Sequence, residues 1–483
     1  RIVYFFILIS RRSRSSVKLR PHTTTLIGNH LMLERISRFF KKNLKSKPDA
    51  THYIFGPSEH SLTPAMINRN ARSIVDVLQK AGFEAYVVGG CVRDLLLDLE
   101  PKDFDVATSA RPWEVKSLFR RSRIIGRRFQ IVHVQFGREI IEVTTFRSND
   151  EESSNKNHRQ QTDSGMLTRD NVFGSVIEDA SRRDLTVNAL YYDPSDNTIH
   201  DFTHGLDDID DSIIRIIGDP ATRFREDPVR MLRVARFAAK LGFQIESATA
   251  TPMRHRAADL RQISAPRLFD ETLKLFMTGN AVATFQLLLE HKLFDYIVPQ
   301  LAPMLNDQNG IPLKLITQAF TNTDIRIQSD QRVAPAFIYA ALLWPVVQKL
   351  AKTYEKNGNS PPYALSKAAG EVTARQIEVT AIPKRFTIPM REIWDLQQHM
   401  LRRGGNRVQR LMEHPRFRAA YDFVLLREQS GENLDGLGAW WTAYQSADEQ
   451  SQEKMAEETS AASGNYKRSR RRRNSKRQTT DSE

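Results

Sequence analysis

The chain has 483 residues, of which 40% are hydrophobic and 27% are charged, and its formal net charge is +14. This length predicts two to four domains. The hydrophobic and charged content is that of an ordinary soluble globular protein. The single cysteine, Cys91, excludes an intrachain disulfide and argues against a cysteine-rich zinc site, which suits a cytoplasmic location.

Positive charge is concentrated at the two ends of the chain. Residues 1–47 carry a net charge of +11 and residues 467–483 carry +6, so subtraction from +14 leaves −3 for residues 48–466. Basic ends favour contact with a polyanion such as RNA, although a tail that only keeps the protein soluble would have the same composition.

The first residues form a basic leader. The apolar run Ile2–Ile9 is too short to span a bilayer, and arginines follow it, whereas the charges of a signal peptide precede its apolar run. We expect residues 1–31 to lie upstream of the true start, with Met32 as the first residue, and residues 1–63 to be mostly disordered. We expect no stable membrane insertion.

From Pro64 to about residue 146 the pattern predicts alternating helices and strands. Apolar residues at helical spacing from Ile67 to Leu78 predict a first helix that ends before Gly82. The following predicted elements are, in chain order, strand Ala85–Val88, helix Val92–Leu97, strand Phe104–Val106, helix Pro112–Phe119, and a hairpin of strands Ile131–Phe136 and Glu139–Phe146.

The rest of the chain is predicted to be mainly helical. Ser148–Ser164 is polar and predicts a disordered loop, and Ile213–Ile217 predicts a further strand. From Pro220 onward, apolar stripes predict successive helices. The acidic stretch Asp448–Gly464 is predicted to be a linker to the basic run Lys467–Arg477.

Two carboxylates, Asp103 and Asp105, form the first candidate site. Side chains at i and i+2 of a strand share a face, so the pair is suited to bind Mg²⁺, which takes a few carboxylates together with substrate phosphates. In two-metal phosphoryl transfer, one ion activates the attacking hydroxyl and the other stabilises the leaving group. Alone, such a pair is more often solvated surface charge.

A glycine pair lies thirteen residues before Asp103. Gly89 and Gly90 end one predicted strand and open a helix, where backbone N–H groups can approach phosphates. Arg93 on that helix is within reach of a triphosphate, although an arginine there is more often a surface residue. Adjacent strands would bring the phosphate cradle and the metal site together.

Three ordered motifs carry a family resemblance. They are Gly89–Asp94 followed by Lys102–Asp105, then Arg182–Leu190, and then Arg225–Arg233. The chain resembles the polymerase-beta nucleotidyltransferase superfamily, in the branch shared by bacterial poly(A) polymerases and CCA-adding enzymes, most closely over residues 65–280 and more weakly to about 440.

The resemblance implies an α+β fold, with a nucleotidyltransferase head built on a small mixed sheet and an all-helical remainder. The implied divisions are a leader (1–63), catalytic head (64–218), neck that recognises the nucleotide base (219–280), helical body with the RNA-binding region (281–445), acidic linker (446–466) and basic disordered tail (467–483).

The resemblance also implies roles for single residues. Asp103 and Asp105 are expected to be catalytic and to bind Mg²⁺, and Gly89, Gly90 and Arg93 to bind the triphosphate of ATP. Asp184 is the expected third catalytic acid, with Glu142 as a rival.

The base of the nucleotide is expected to be read by Asp227 and Arg230. Positions i and i+3 share a helix face, and a salt bridge within one helix is the alternative explanation of this pair.

Three segments favour the poly(A) polymerases within this branch: Ile124–Val134, in which Arg127 and Arg128 follow a glycine, Ala381–Arg385 and Glu413–Tyr421. The resemblance then implies template-independent addition of AMP from ATP to the 3′ ends of mRNA and small RNAs, with contacts to RNA-decay machinery. The alternatives are a CCA-adding tRNA nucleotidyltransferase and an inactive RNA-binding adaptor, which the intact carboxylates disfavour.

Overall fold

The computed structural model describes residues 52–126, 130–148, 159–161, 167–170, 172–405 and 407–459, with the backbone alone for 159–161 and 167–170. The expectations for most of the leader, for Arg127 and Arg128, for most of the 148–164 loop and for the basic tail therefore fall outside the described residues. Within the described ranges, no helix combines the length and the apolar character needed to cross a membrane.

An eight-stranded mixed sheet forms the N-terminal part. Its order is β1-β10-β9-β2-β3-β6-β5-β4, in which β3 and β6 are parallel and all other neighbours are antiparallel. The strands are β1 (Tyr53–Phe55), β2 (Ala85–Val88), β3 (Asp105–Thr108), β4 (Ser122–Ile125), β5 (Ile131–Phe136), β6 (Glu139–Thr145), β9 (Leu190–Asp193) and β10 (Thr198–Asp201).

Two further strand pairs lie outside this sheet. One joins β7 (Arg159–Gln161) to β8 (Leu167–Asp170) in antiparallel orientation, and the other joins β11 (Ile213–Ile214) to β12 (Gln244–Ile245) in parallel orientation. The strand predicted over Ile213–Ile217 is therefore shorter than expected. Residues 159–161, which were predicted to be part of a disordered loop, form a strand.

Strand β2 lies in the middle of the sheet, between β9 and β3, and both of its faces are buried. Ala85 and Val87 face the main core, whereas Tyr86 and Val88 face a second cluster with Phe146. An uninterrupted apolar run is typical of a strand covered on both sides.

The structure corrects the predictions for two strands. Strand β3 begins at Asp105 and not at Phe104, so Asp103 lies in the preceding loop and the two carboxylates are not both strand residues. Residues 53–55, which were assigned to a disordered leader, form edge strand β1 and pair with β10.

Among the described residues, six helices precede the mainly helical part of the chain. The first begins at Arg69 and is capped by Asn68, whose side chain accepts from the backbone N–H of Asn70 at 2.7 Å and so satisfies a helix-end donor. The helices are α1 (Arg69–Lys80), α2 (Gly90–Leu96), α3 (Pro112–Leu118), α4 (Val176–Arg182), α5 (Gly205–Asp210) and α6 (Pro220–Glu226).

Apart from the short strand β12, the rest of the described chain forms helices and their connections, so it is mainly helical, as predicted. One buried core runs from Leu62 beside the sheet to Leu426 in the last third of the chain. The helices are α7 (Val229–Leu241), α8 (Ser247–Arg256), α9 (Ala265–Phe276), α10 (Ala281–Glu290), α11 (Phe294–Ile297), α12 (Ile311–Gln328), α13 (Pro335–Lys356), α14 (Pro361–Thr380), α15 (Lys384–Met400), α16 (Arg407–Met412), α17 (Phe417–Gln429) and α18 (Leu437–Ser446).

A smaller core at the C-terminal end includes part of the acidic segment, which was predicted to be a linker. It contains Trp441 and also Ala456, which lies within the stretch predicted to be a linker. Residues 449–459 are helical, and the side chain of Gln452 donates to the backbone carbonyl of Tyr444 at 2.9 Å. This part of the acidic segment therefore packs on the body.

Candidate active site

A glycine turn joins β2 to α2. Gly89 has φ +87°, which a residue with a side chain rarely adopts, and a Cβ added there would lie 3.5 Å from Nη1 of Arg183. Gly90 begins α2. The predicted turn is therefore present, with the guanidinium of Arg183 next to Gly89 and that of Arg93 next to Gly90.

Arg93 lies beneath this turn and is almost fully buried. Its Nε donates to Asp94 at 2.8 Å, its Nη1 donates to Asn188, and its guanidinium is 5.0 Å from the centroid of the Phe237 ring. These contacts support the turn from inside the protein. Contact between Arg93 and a triphosphate stays a prediction.

Asp105, at the beginning of β3, has two further carboxylates near enough to act on it electrostatically. Asp105 is aligned with Val88 of β2 and with Glu142 of the parallel neighbour β6, and the exposed Asp103 precedes it by two residues. Burial raises the pKa of Asp105 to about 6, and the negative charges of Glu142 and Asp103 add to this effect, while Arg183 opposes it. The site thus carries negative charge that is not fully compensated.

These carboxylates fit a divalent cation by the chemistry of their oxygens. Among the described residues, no three acidic, histidine or cysteine side chains are already arranged to enclose a metal. Mg²⁺ often takes only one or two protein carboxylates and completes its shell with water and substrate phosphates. A cation here would also relieve the repulsion that raises the pKa of Asp105.

The motif that suggested Asp184 also supplies Arg183, which the sequence reasoning did not single out. Arg183 donates from Nε to the Tyr191 hydroxyl at 2.9 Å and from Nη2 to Asp179 at 3.3 Å, and Tyr191 in turn donates to Asp179 at 2.7 Å. This buried network holds the guanidinium beside Gly89 and close enough to Asp105 to lower its pKa. The two adjacent arginines of the motif, Arg182 and Arg183, are the feature of the sequence that could have indicated this role.

Asp184 has a different environment. Its Oδ2 pairs with Nε of Arg233 at 2.5 Å, and its Oδ1 accepts from the backbone N–H of Leu185 at 2.9 Å. Burial raises the pKa of Asp184, but the ion pair with Arg233 outweighs burial and lowers the pKa to about 2. The structure therefore places Glu142 next to Asp105 and pairs Asp184 with Arg233 of helix α7. The catalytic role of Asp184 stays a prediction.

The pair expected to read the base is not on one helix. Asp227 has extended backbone, with φ −152°, in the break between α6 and α7, and only Arg230 is helical. The salt bridge considered as an alternative is replaced by two others. Asp227 Oδ2 accepts from Nη2 of Arg267 at 2.6 Å, and Arg230 donates to Glu226 at 2.7 Å. No sequence motif pointed to Arg267, which lies on α9.

Arg223 links this region to the glycine turn. Its Nη2 donates to the backbone carbonyls of Arg182 at 2.6 Å and Arg183 at 2.7 Å, and its Nη1 donates to Glu226 at 2.9 Å. Burial lowers the pKa of Arg223 to about 10, so it remains a cation at neutral pH. A single buried guanidinium thus joins Glu226, at the end of α6, to the backbone of Arg182 and Arg183.

Comparison with known proteins gives three consecutive family matches. A family model described as the poly A polymerase head domain matches residues 85–215, and one described as the probable RNA and SrmB-binding site of polymerase A matches 242–305. A third, described as the polymerase A arginine-rich C-terminus, matches 357–477.

Individual relatives agree with these models. Poly(A) polymerase I of Haemophilus influenzae is 44% identical over 408 residues, which cover 83% of this chain and 90% of the relative. A CCA-adding enzyme of Limosilactobacillus fermentum is 45% identical over only 212 residues, 44% of this chain and 50% of the relative. The crystal structure of the Bacillus stearothermophilus CCA-adding enzyme in complex with CTP has a TM-score of 0.52 and 25% identity, covering 78% of this chain and 81% of that structure.

Proposed function

Because this chain belongs to the bacterial poly(A) polymerase family, we propose that it adds AMP units from ATP to RNA 3′ ends without a template. The observation that carries this proposal is the extent of the match. Similarity to a poly(A) polymerase I covers 83% of the chain, whereas similarity to a CCA-adding enzyme covers 44%. A cytoplasmic location would supply both substrates.

Asp105, Asp103 and Glu142 form the reacting centre of the proposed mechanism. Their carboxylates would hold Mg²⁺, which when bound activates the attacking 3′ hydroxyl and stabilises the charge on the leaving pyrophosphate. Asp105 is aligned with Glu142 on the parallel neighbouring strand, so the two acids lie side by side on adjacent strands. The family resemblance adds Asp184 as another candidate.

Arg183 and the glycine turn would hold the triphosphate. The absence of side chains at Gly89 and Gly90 lets phosphate oxygens approach the backbone N–H groups. Arg183 supplies a positive charge next to that turn, and its hydrogen bonds to Tyr191 and Asp179 fix its direction. A fixed guanidinium stabilises developing negative charge without reorganisation during the reaction.

Asp227 and Arg230 would select adenine. A carboxylate accepts a hydrogen bond from the exocyclic amine, and a guanidinium donates to a ring nitrogen. Arg267 donates to Oδ2 of Asp227, and the backbone N–H of Val229 donates to Oδ1 at 3.3 Å, so the carboxylate is held in one orientation. Such a restraint suits an enzyme that accepts one nucleotide repeatedly.

The test of this function incubates purified protein with Mg²⁺, with either ATP alone or ATP and CTP, and with either an unstructured RNA or a tRNA lacking its end. A long A-tail is the expected product. Addition limited to C-C-A on a tRNA lacking its end would assign the chain to the CCA-adding enzymes. RNA binding without any addition would support the adaptor.

Asp105→Asn provides the internal control of that assay. We expect this variant, and Asp103→Asn, to bind RNA normally and to lose nearly all AMP addition, because each removes a proposed metal ligand. Retention of more than a few per cent of the activity by either variant would contradict the proposed metal site.

A further inference from the structure

Three side chains of helix α7 contact the sheet-bearing part of the chain. They are Arg233, Phe237 and Lys240, which are four and three residues apart and so lie on one stripe of the helix. Arg230, which we propose to select adenine, lies three residues before Arg233 on the same stripe. One face of a single helix thus carries a base-reading residue at its beginning and contacts with the sheet-bearing part along the rest of its length.

The contact made by Lys240 leads to the glycine turn. Its Nζ donates to Oδ2 of Asp94 at 3.0 Å, and Oδ1 of the same carboxylate accepts from Nε of Arg93 at 2.8 Å. Arg93 in turn donates to Asn188, and its Nη2 lies 3.5 Å from the position of a Cβ added at Gly90. Two cations therefore share one carboxylate, which joins Lys240 to the turn that we propose to hold the triphosphate.

The carboxylate of Asp94 needs both of these partners. Its side chain is only 9% exposed, and burial deprives a charged group of water, so its oxygens must be paired inside the protein. Arg93 pairs with one oxygen and Lys240 with the other. An apolar residue in place of Lys240 would leave Oδ2 without this hydrogen bond, and the contact between α2 and the end of α7 would be lost with it.

Helix α7 transmits a displacement from one of its ends to the other. At about 1.5 Å of rise per residue, Arg230 and Lys240 lie about 15 Å apart along the helix axis. A rigid helix that is attached at both Arg233 and Lys240 resists tilting, whereas a helix attached at Arg233 alone can tilt about that point. Such a tilt moves Arg230 relative to the glycine turn.

ATP is sensitive to this separation because it would occupy both places at once. Its base would contact Arg230 while its phosphates contact the glycine turn. When two parts of one ligand bind two places, their contributions combine only if the geometry allows simultaneous contact. An error in the separation therefore weakens ATP more than it weakens a ligand that occupies the turn alone.

We propose that Lys240 is a positioning residue for ATP. By fixing the end of α7 through Asp94, it sets the distance between the base-reading residues and the glycine turn. The inference rests on the proposed function for the roles of Arg230 and of the turn. Lys240 acts through Asp94 and α7 and contacts neither ATP nor RNA.

The test is Lys240→Met, which keeps the aliphatic part of the side chain and removes the cation. Lys240→Arg restores a cation and is the rescue variant. Lys274→Met is the matched control, since Lys274 also pairs with an acid that is 9% exposed, at 2.9 Å, but on α9. Calorimetric titration in Mg²⁺ without RNA measures the binding of ATP, CTP and inorganic triphosphate, and urea midpoints compare the stability of the variants. Steady-state AMP addition gives kcat and KM for ATP.

For Lys240→Met we expect a loss of about fivefold in affinity for ATP, the size of effect expected from a single ion pair with one partly exposed partner. Binding of inorganic triphosphate should be unchanged, and the preference for ATP over CTP should fall. KM for ATP should rise while kcat at saturating ATP stays the same, because the contact positions the nucleotide and takes no part in the transfer. Lys240→Arg and Lys274→Met should behave as the unmodified protein does.

Two results would overturn the inference. One is an unchanged affinity and preference for ATP in Lys240→Met, which would make the ion pair a contact of the fold only. The other is equal weakening of ATP and inorganic triphosphate, which would mean that Lys240 acts on the glycine turn and not through α7. If the unmodified protein binds ATP but adds no AMP to RNA, the proposed function fails, whereas the calorimetric comparison still decides the role of Lys240.

Discussion

Replacing Asp184 by Asn distinguishes an acid that stabilises the fold from an acid that takes part in nucleotide transfer. Asp184 is paired with Arg233 at 2.5 Å and accepts from the backbone N–H of Leu185, whereas the half-exposed Glu142 raises the pKa of Asp105. We therefore expect Asp184→Asn to reduce stability, and Glu142→Gln to reduce the rate of AMP addition without a comparable loss of stability.

The magnitude follows from the pKa of Asp184. Burial raises it, but the charge of Arg233 outweighs burial, so the pKa falls from 3.8 to about 2. At 1.36 kcal/mol per pKa unit, this corresponds to about 2 kcal/mol of stability. Because the Arg233 side chain is 37% exposed, water screens the pair, and we expect a loss of about 1–2 kcal/mol.

The sign of the pH dependence is fixed by the same shift. Since the pKa of Asp184 is lower in the folded state, its contribution is complete above the unfolded value of 3.8 and disappears as the pH falls towards 2. The stability difference between the unmodified protein and Asp184→Asn should therefore be constant near neutral pH and shrink below pH 4.

Urea unfolding measures these effects for Asp184→Asn, Arg233→Met and the double variant, and single-turnover AMP addition is measured at a temperature where all remain folded. A coupling energy between the two single substitutions should account for most of the loss. An Asp184→Asn variant with an unchanged urea midpoint and no AMP addition would refute this reasoning and make Asp184 the third catalytic acid.

Three further predictions concern pH, base selection and the tail. Burial and the charge of Glu142 raise the pKa of Asp105 to about 6, so Mg²⁺-dependent AMP addition should weaken as the pH falls through 6. Glu142→Gln should move the midpoint of this pH profile lower. An unmoved midpoint would contradict the electrostatic coupling between Glu142 and Asp105. Because the pKa of Asp105 is higher in the folded state, its proton uptake stabilises the metal-free protein below about pH 4, and this stability is lost as the pH rises to about 6. Asp227→Ala and Arg267→Ala should each lower the preference for ATP over CTP, measured as a ratio of kcat/KM, whereas Lys274→Ala, which breaks a different ion pair of α9, should not. Unfolding of Asp227→Ala without a change in that ratio would mean that the residue is structural. If half of the eight cations in 467–483 contact RNA, deletion after Gly464 should flatten the salt slope by roughly 3; equal slopes would identify a solubilising tail.

Local pattern was sufficient for the elements with strong periodicity. Strand Ala85–Val88 was predicted at its observed bounds, because an uninterrupted apolar run suits a strand buried on both faces. The hairpin of β5 and β6 was predicted as two strands on either side of a turn at Gly137 and Arg138, and the two strands pair as expected. Strand β1 was missed, since a three-residue edge strand is held by its pairing with β10 and carries little pattern of its own.

The sequence by itself was enough to group the residues proposed to carry the chemistry, because Asp103, Asp105 and the glycine turn are close in the chain and motif spacing brings them together. Only the tertiary structure decided their partners. Glu142 reaches Asp105 through parallel pairing of β6 with β3, Arg267 reaches Asp227 from a separate helix, and Arg233 engages Asp184 across 49 residues. The physical reason is that an ion pair depends on the distance between side chains after packing, and helical or strand periodicity fixes only the neighbours within one element.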